Sequence, residues 1–307
     1  MKCLQEHISD IRDYLDEPSS DTSDWDDDAI LVNHLNNILT KQVGVKIANQ
    51  AEDYFGVEFV IPLVTNQFSY VIPSGQIRSV EIVTNNVTDS GNGVYSVAYN
   101  AARTKIDRIE FYEKDFLQYS ANPSAIAGQS GYFQYGSALR FGEGTRQVTT
   151  GYYARVWLIR SLVELHYGTM VSATSTTLVI NSATKGKLPL ISNAYLNYGV
   201  RIYSGTGINQ ERQITGHSYD PSTGYHTLTM DSAWGTTPAS SAVYSITPPI
   251  PPEFEDCLSM GAALRAKVKV EDPMSELFQM YQTSLSDALS LIKPRNREGV
   301  RRIRRVS

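Results

Sequence analysis

The feature that most constrains the fold is a run of four prolines in five residues, Pro248-Pro249-Ile250-Pro251-Pro252. Proline has no backbone N–H and a fixed φ, so this run favours an extended, polyproline-like linker and cannot continue a sheet. The patterns on its two sides differ: short β-type stretches precede it, and a helical apolar stripe follows it. We therefore expect the chain to change structural class here.

The segment before the prolines, residues 171–247, is polar but weakly charged. It contains 23 Ser or Thr and only 7 charged residues. Turns rich in Gly and Asn separate short stretches with strand character at 176–181, 200–204, 225–230 and 243–246. This pattern predicts a compact all-β module. Because we expect it to be looped out of the rest of the fold, we predict that it can be excised between residues 170 and 248.

Residues 55–170 also have a β-type pattern. The stretches 57–64, 68–72, 77–83 and 106–112 are rich in Val, Ile, Phe and Tyr, and turn residues such as Pro73-Ser74-Gly75 lie between them. The segment Tyr152–Tyr167 is compatible with strand or helix, and its aromatic and β-branched content favours strand. We expect a β-rich region here.

The N-terminal region, residues 1–54, has helical periodicity. Apolar residues three or four positions apart predict one helix over 4–16 and a second that continues past Gly44 to Ala51; they are Leu4, Ile8, Ile11 and Leu15, then Leu31, Leu35, Ile38, Leu39 and Val43. The acidic stretch Asp21–Asp28 precedes the second helix, where carboxylates favour a helix start.

Residues 248–292 have the same periodicity. One stripe is Phe254, Cys257, Leu258, Gly261, Leu264 and Val268, and a second is Met274, Leu277, Phe278, Tyr281, Leu285, Ala288, Leu289 and Ile292. Asp272-Pro273 predicts the helix start between them. The fold class is therefore α+β: N- and C-terminal helices pack as a helical core, with a β-rich middle and an inserted all-β module.

The net charge of -5 conceals an asymmetry between the two ends. Residues 1–28 hold ten Asp or Glu against two Lys or Arg, whereas residues 293–307 hold seven Lys or Arg against Glu298. Arginine offers paired donors to a carboxylate or phosphate, so this basic segment is suited to an anionic partner. DNA or an acidic protein surface would meet that requirement. The alternative is a solvated, disordered terminus with no partner, which such a composition also favours.

The sequence has no recognisable catalytic or metal-binding motif. The histidines His7, His34, His166, His217 and His226 form no metal-ligand spacing, and Cys3 and Cys257 are isolated. Asp24, Asp26 and Asp28 begin a calcium-loop pattern, but Ala29 and Leu35 replace its Gly and Glu. Gly205-Thr206-Gly207 lacks the third Gly of a dinucleotide fingerprint and is expected to form a turn. We expect no enzyme activity and no cofactor.

The ends of the chain carry motifs of a known family. They are Trp25-Asp26-Asp27-Asp28-Ala29-Ile30-Leu31, Phe68-Ser69-Tyr70-Val71-Ile72-Pro73, Ile250-Pro251-Pro252-Glu253-Phe254-Glu255-Asp256-Cys257-Leu258 and Gly261-Ala262-Ala263. With these motifs, residues 4–83 and 248–292 resemble the head-to-tail adaptors of tailed bacteriophages. The runs 203–214, 229–234 and 241–244 resemble a module of phage neck and tail proteins, which simple adaptors lack.

The resemblance implies a structural protein of the virion neck, made in the host cytoplasm. Members of the family form a ring, typically a dodecamer, that binds the portal protein, continues the DNA channel and joins tail or nozzle proteins. Genomic DNA would pass through without specific binding, and no membrane is involved. Residues 293–307 would be the portal-binding arm, with Arg295, Arg297, Val300, Arg301, Arg302, Ile303, Arg304 and Arg305.

Two other functions remain open. The β-module could bind host-surface carbohydrate through Trp234, Tyr203, Tyr219 and Tyr225, although such aromatics also fill small β cores. A cell-wall hydrolase would need a pair of placed carboxylates, and no pair stands out in the sequence. We expect a soluble protein that is not exported, since no long apolar run and no signal peptide are visible.

Overall fold

The computed structural model describes residues 2–16, 28–89, 95–109, 131–142, 148–181, 183–269 and 275–292. The helices are α1 (Leu4–Leu15), α2 (Asp28–Ile38), α3 (Gly44–Gln50), α4 (Glu255–Lys269) and α5 (Ser275–Ile292), with a π-helical turn at Leu39–Val43 and 3-10 turns at Glu52–Phe55 and Pro252–Phe254. The α+β class is confirmed. The acidic stretch before Asp28 and the predicted helix start at Asp272-Pro273 lie outside the described residues.

Sixteen strands are described. They are β1 (Gly56–Pro62), β2 (Ser69–Val71), β3 (Gly75–Val83), β4 (Val87–Asp89), β5 (Tyr95–Val97), β6 (Arg103–Ile106), β7 (Tyr132–Tyr135), β8 (Ala138–Phe141), β9 (Tyr153–Arg160), β10 (Tyr167–Thr169), β11 (Ser172–Ala173), β12 (Thr177–Ile180), β13 (Gly199–Ser204), β14 (Glu211–Asp220), β15 (Tyr225–Met230) and β16 (Val243–Thr247). The predicted strand at Tyr152–Tyr167 corresponds to β9.

The N- and C-terminal helices pack together. Helix α4 contacts α1, α2 and α5, so it lies at the centre of the helical unit. A Cβ atom at Gly261 would lie 3.0 Å from Ile38 Cγ2 and 3.2 Å from Tyr281 Cε2, so the absence of a side chain there permits the close approach of α4 to its neighbours. Most residues of the predicted stripes are buried, and Leu277, Leu289 and Ile292 are partly buried. Val268 and Phe278 are 58% and 52% exposed, and Met274 lies outside the described residues.

Strands β10 to β16, which follow residue 166, form a seven-stranded antiparallel sheet with the order β10-β16-β13-β14-β15-β12-β11. Its first strand begins at Tyr167, so the predicted domain boundary at residue 170 divides the sheet. Its longest strand, β14, was not predicted, because its sequence is mostly polar and contains Gly216 at a β-bulge. The predicted turn at Gly205-Thr206-Gly207 connects β13 to β14, and both glycines have positive φ.

This sheet is not looped out from the helices, contrary to the sequence-based prediction. Its apolar side chains and those of the five helices form one continuous core. The backbone N–H of Leu4 donates to the Ser245 hydroxyl at 3.1 Å, and Arg201 pairs with Glu6 at 2.8 Å. A sheet with one apolar face has to cover it, and here α1 lies against β16 of the sheet.

Residues 56–160 form the unit that is inserted. A four-stranded sheet (β1-β9-β3-β6), a three-stranded sheet (β2-β8-β7) and the hairpin β4-β5 make it up, and its core is separate from that of the helices. Gly56 and Ile159 are partners in the β1–β9 register, so the chain enters and leaves this unit at adjacent positions. Adjacent termini are typical of an inserted unit.

The side chain of Asn36 joins α2 to the segment that leads into the seven-stranded sheet. Its Nδ2 donates to the carbonyl of Leu165 at 3.0 Å, and its Oδ1 accepts from the N–H of the same residue at 2.8 Å. Asn36 is 3% exposed and Leu165 is fully buried. The amide therefore satisfies both backbone groups of a residue that has left one strand and has not yet entered the next.

We expect Asn36→Ala to destabilise the protein by about 2 to 4 kcal/mol, because it leaves a buried N–H and a buried C=O unpaired. Urea unfolding at pH 7.5 measures the change. Asn37→Ala is the matched control, since the Asn37 side chain donates only to Asn33 O within the same helix, and it should cost less than about 1 kcal/mol. Equal losses for the two variants would show that the bridge to Leu165 does not stabilise the fold.

Candidate functional site

The predicted portal-binding arm, Arg295 to Arg305, lies outside the described residues, so the structure does not place it. Helix α5 ends at Ile292, directly before this segment. The surface beside the end of α5 is therefore the described surface most relevant to the arm.

A groove with a volume of about 860 Å³ lies between α4 and α5, with one residue of α1 at its side. We call it the α4–α5 groove. Its lining residues are Tyr14, Glu253, Asp256, Met260, Glu276, Gln279, Met280, Thr283, Ser284, Asp287, Ala288 and Leu291. Four of these are carboxylates, and none is Lys or Arg.

The groove combines acidic and exposed apolar side chains. Met280 is 53% exposed and Leu291 is 68% exposed, although both are apolar. They are eleven residues apart, which is about three helical turns, so they share one face of α5. This face was not predicted from the sequence, because both residues lie outside the predicted buried stripe. Their spacing was the signal that could have revealed it.

Lys2 is the cation at the margin of the groove. Its Nζ lies 2.8 Å from Asp256 Oδ1 and 2.7 Å from Asp10 Oδ2. Burial favours a lower pKa for Lys2, but the hydrogen bonds with Asp10 and Asp256 outweigh burial and raise the pKa, so this residue remains charged. Glu253, Glu276 and Asp287 have no such cation among the ion pairs of the described residues.

The four aromatic residues proposed to bind carbohydrate do not form one surface. Trp234 is 5% exposed and lies under the Arg212 guanidinium, 5.5 Å from it. Tyr203 lies near the start of β14, whereas Tyr225 is paired with Asp220 at the end of that strand. Nine residue steps of about 3.3 Å separate these ends, or about 30 Å. One sugar ring cannot contact both tyrosines.

Buried histidine and tyrosine side chains form a polar cluster in the seven-stranded sheet. The rings of His166 and His217 flank Tyr195, with centroids 5.2 Å and 5.0 Å from it. His166 Nδ1 lies 3.1 Å from the Tyr244 hydroxyl, and His217 Nε2 lies 3.0 Å from His226 Nδ1. Burial lowers the pKa of both His166 and His217 to about 3, so both are neutral at pH 7.

The hydrogen bonds of His217 determine its tautomer. The N–H of Ala194 donates to Nδ1 at 3.1 Å, so the ring proton is on Nε2 and is donated to His226 Nδ1. The lone pairs of His217 Nδ1 and His226 Nδ1 are therefore already used. No group of three or more His, Cys, Asp or Glu side chains in the described parts of the chain is arranged to hold a metal ion. The cluster is part of the core of the sheet.

A carboxylate pair does occur on the four-stranded sheet, but both members contact the same cation. Arg155 Nη2 lies 2.7 Å from Glu58 Oε2, and its Nη1 lies 3.1 Å from Glu81 Oε2. The guanidinium also lies over the ring of Trp157, 5.4 Å from its centroid. Cross-strand pairing of this kind stabilises a sheet surface. It does not form the open acid–base pair that a glycosidase needs.

Two further observations bear on function. Among the described residues, no helix is both long enough and apolar enough to cross a bilayer. No known family model matches the chain, and no curated protein has significant sequence similarity to it. The likeness to phage head-to-tail adaptors therefore rests on the motifs given above.

Proposed function

We propose that this protein is a structural head-to-tail adaptor of a phage virion. In this proposal it forms a ring, a dodecamer in the family it resembles, under the portal in the neck. The ring continues the DNA channel and joins tail or nozzle proteins. It acts by holding other proteins together rather than by catalysis.

The observation that supports the proposal most is the packing of the segments that carry the resemblance. One contributes Leu31 in α2, and another contributes Ile250 and Leu258 at the entry to α4; all three residues are fully buried. Helices α2 and α4 contact each other although more than 200 residues separate them. A helical unit made from both ends of the chain is what the adaptor resemblance implies.

A ring requires each subunit to present two different surfaces, because head-to-tail contacts join unlike patches. The helical unit can provide one at the exposed side of α5, where Met280 and Leu291 share one face and are each more than half exposed. Apolar side chains clustered on one helix at the surface are typical of an interaction site.

We further propose that Arg295, Arg297, Arg301, Arg302, Arg304 and Arg305 bind an acidic surface of the portal rather than packaged DNA. Each neutralised phosphate adds a salt-dependent increment to DNA affinity, and a conduit that binds its DNA strongly would slow passage. Val300 and Ile303 would add apolar contacts to the charge pairs.

Truncation after Ile292 should abolish binding to the portal and leave the fold intact, since the apolar helical stripe of the sequence ends at Ile292 and Pro294 follows it. A pull-down with the portal at physiological salt measures binding, and circular dichroism checks the fold. A chain with the six arginines replaced by lysine is the control, and it should retain part of the binding because the charge is kept.

The opposite result would be unchanged portal binding by the truncated chain together with a loss of DNA binding. That result would assign the arm to DNA. The ring itself is tested by electron microscopy of virion necks, and one or two copies per particle would exclude it.

A further inference from the structure

The α4–α5 groove and the residues that follow α5 are chemically complementary. Glu253, Asp256, Glu276 and Asp287 make the groove acidic, with Asp256 already paired with Lys2, and Met280 and Leu291 give it exposed apolar contacts. Residues 293–307 carry seven Lys or Arg against Glu298, with Val300 and Ile303 between the arginines. Bidentate arginine–carboxylate pairs and small apolar contacts would satisfy both surfaces.

The position of the groove favours a partner from the same chain. Leu291 lines the groove, and residue 293 follows the last residue of α5 directly. The lining of α5 from Glu276 to Leu291 spans about 22 Å at about 1.5 Å per residue. Fifteen residues can span at most about 50 Å. A segment that reverses direction near Pro294 therefore has enough length to cover the whole groove.

We propose that the α4–α5 groove binds residues 293–307 of the same chain. The tether raises the local concentration of the segment to about the millimolar range, which favours this contact over the same contact between separate molecules. Binding would cover the exposed side chains of Met280 and Leu291 and neutralise the carboxylates around them. The segment would then be withheld from other acidic surfaces until one competes for it.

This inference does not depend on the proposed function. The groove and the basic segment are properties of the chain itself, so their contact is expected whether or not the protein is a neck adaptor. If the arm does bind a portal, the portal has to displace it from the groove, and the groove would then keep free subunits from premature assembly.

Disulfide trapping in the full chain tests the contact. Thr283 lies in the groove and Ile303 in the segment, so the double variant Thr283→Cys/Ile303→Cys should form an intramolecular disulfide with copper phenanthroline. The native Cys3 and Cys257 are buried and should not compete. Thr223→Cys/Ile303→Cys is the position control, since Thr223 lies in the β14–β15 turn, and it should react at least tenfold more slowly.

A charge variant tests the cause of the contact. Asp287→Lys in the Thr283→Cys/Ile303→Cys chain should slow disulfide formation about fivefold, because it replaces a groove carboxylate with a repelling charge. Asp107→Lys makes the same charge change at an exposed residue of the inserted unit and should have less than a twofold effect. Equal effects of the two substitutions would overturn the proposal.

The size of the cross-linked product on a non-reducing gel shows whether the groove binds the segment of its own chain or that of a second copy. A cross-linked monomer supports binding within one chain. A cross-linked dimer would show that the groove binds the segment of a second copy. Cross-linking no faster than in the Thr223→Cys/Ile303→Cys control would show that the groove does not bind the segment. Either of these results would overturn the proposal.

Discussion

Deletion of residues 171–247 should leave a chain that does not fold, whereas deletion of residues 57–158 should leave a folded protein. The first deletion removes most of the seven-stranded sheet, which shares its core with the helices. Tyr195, Tyr198 and Tyr244 are among its largest fully buried side chains. Losing one large core side chain costs about 2 to 5 kcal/mol, and the whole fold is stable by only about 5 to 15 kcal/mol.

The second deletion removes a unit with its own core. Gly56 and Ile159 are paired across antiparallel strands, so an Asn-Gly turn can join them with little strain. The junction keeps Arg160, whose NH1 donates to the carbonyl of Leu196 and whose guanidinium lies 4.5 Å from the centroid of the Tyr198 ring. Leu196, in the turn before β13, packs against the removed core, so a modest loss of stability is expected.

Circular dichroism and cooperative urea unfolding of both deletion variants measure the outcome. The chain without 57–158 should unfold in one transition, and the chain without 171–247 should show none. If instead the chain without 171–247 unfolds cooperatively, the seven-stranded sheet is a separable module, as the sequence first indicated. Wild-type protein in the same buffer provides the reference transition.

The sequence predicted the local structure of the helical ends well, because burial on one side of a helix imposes a readable period. Leu4, Ile8, Ile11 and Leu15 are all buried, as are Leu31, Leu35, Leu39 and Val43 in the next helix and π turn. The prediction was wrong at Val268 and Phe278, which have the right spacing but are more than half exposed. Periodicity identifies an apolar face of a helix, but it does not show how far the partner helix extends.

The organisation of the β regions could not be predicted, because a strand pattern does not identify the neighbouring strand. The three residues of β10 carry almost no signal, yet they place the start of the sheet before the predicted boundary. The bridge from Asn36 to Leu165 connects residues 129 positions apart, and nothing in the local sequence marks it. Which β unit is inserted depends on such long-range contacts.

The candidate site was predicted only in part. The basic segment is visible as composition, whereas the α4–α5 groove is assembled from three helices and is visible only in the fold. Glu253 and Glu276 are separated in sequence by a whole helix, so their common location follows from the packing of α4 on α5. A charge pattern in sequence shows that a partner is needed, but the surface that meets it is a tertiary property.

Acidification from pH 6.5 to 4.5 should destabilise the protein by several kcal/mol. His7, His166 and His217 are each 2% exposed or less. Burial lowers their pKa values, to about 4 for His7 and about 3 for the other two. In the unfolded chain their pKa is about 6.5, so the unfolded state binds more protons in this interval.

Because the unfolded state binds more protons, the folded protein loses stability as the pH falls. Above pH 6.5 both states hold neutral histidines, and their contribution to stability is complete. As the pH falls toward 4.5, the unfolded state gains protons that the folded state cannot accept, so stability falls by about 2 kcal/mol for each fully buried histidine.

Urea unfolding at pH 7.5, 6.5, 5.5 and 4.5 measures the loss, and a histidine substitution assigns it. His166→Gln removes a hydrogen bond to Tyr244 and should lower stability at pH 7.5. It should also reduce the further loss between pH 6.5 and 4.5 by about 2 kcal/mol, because one protonation site is gone. This smaller dependence of the free energy of unfolding on pH identifies the effect of His166, since a substitution that only destabilises the fold lowers the free energy equally at all four pH values. If the slope is unchanged in His166→Gln, His166 is not held neutral by burial, and the acid sensitivity has another origin.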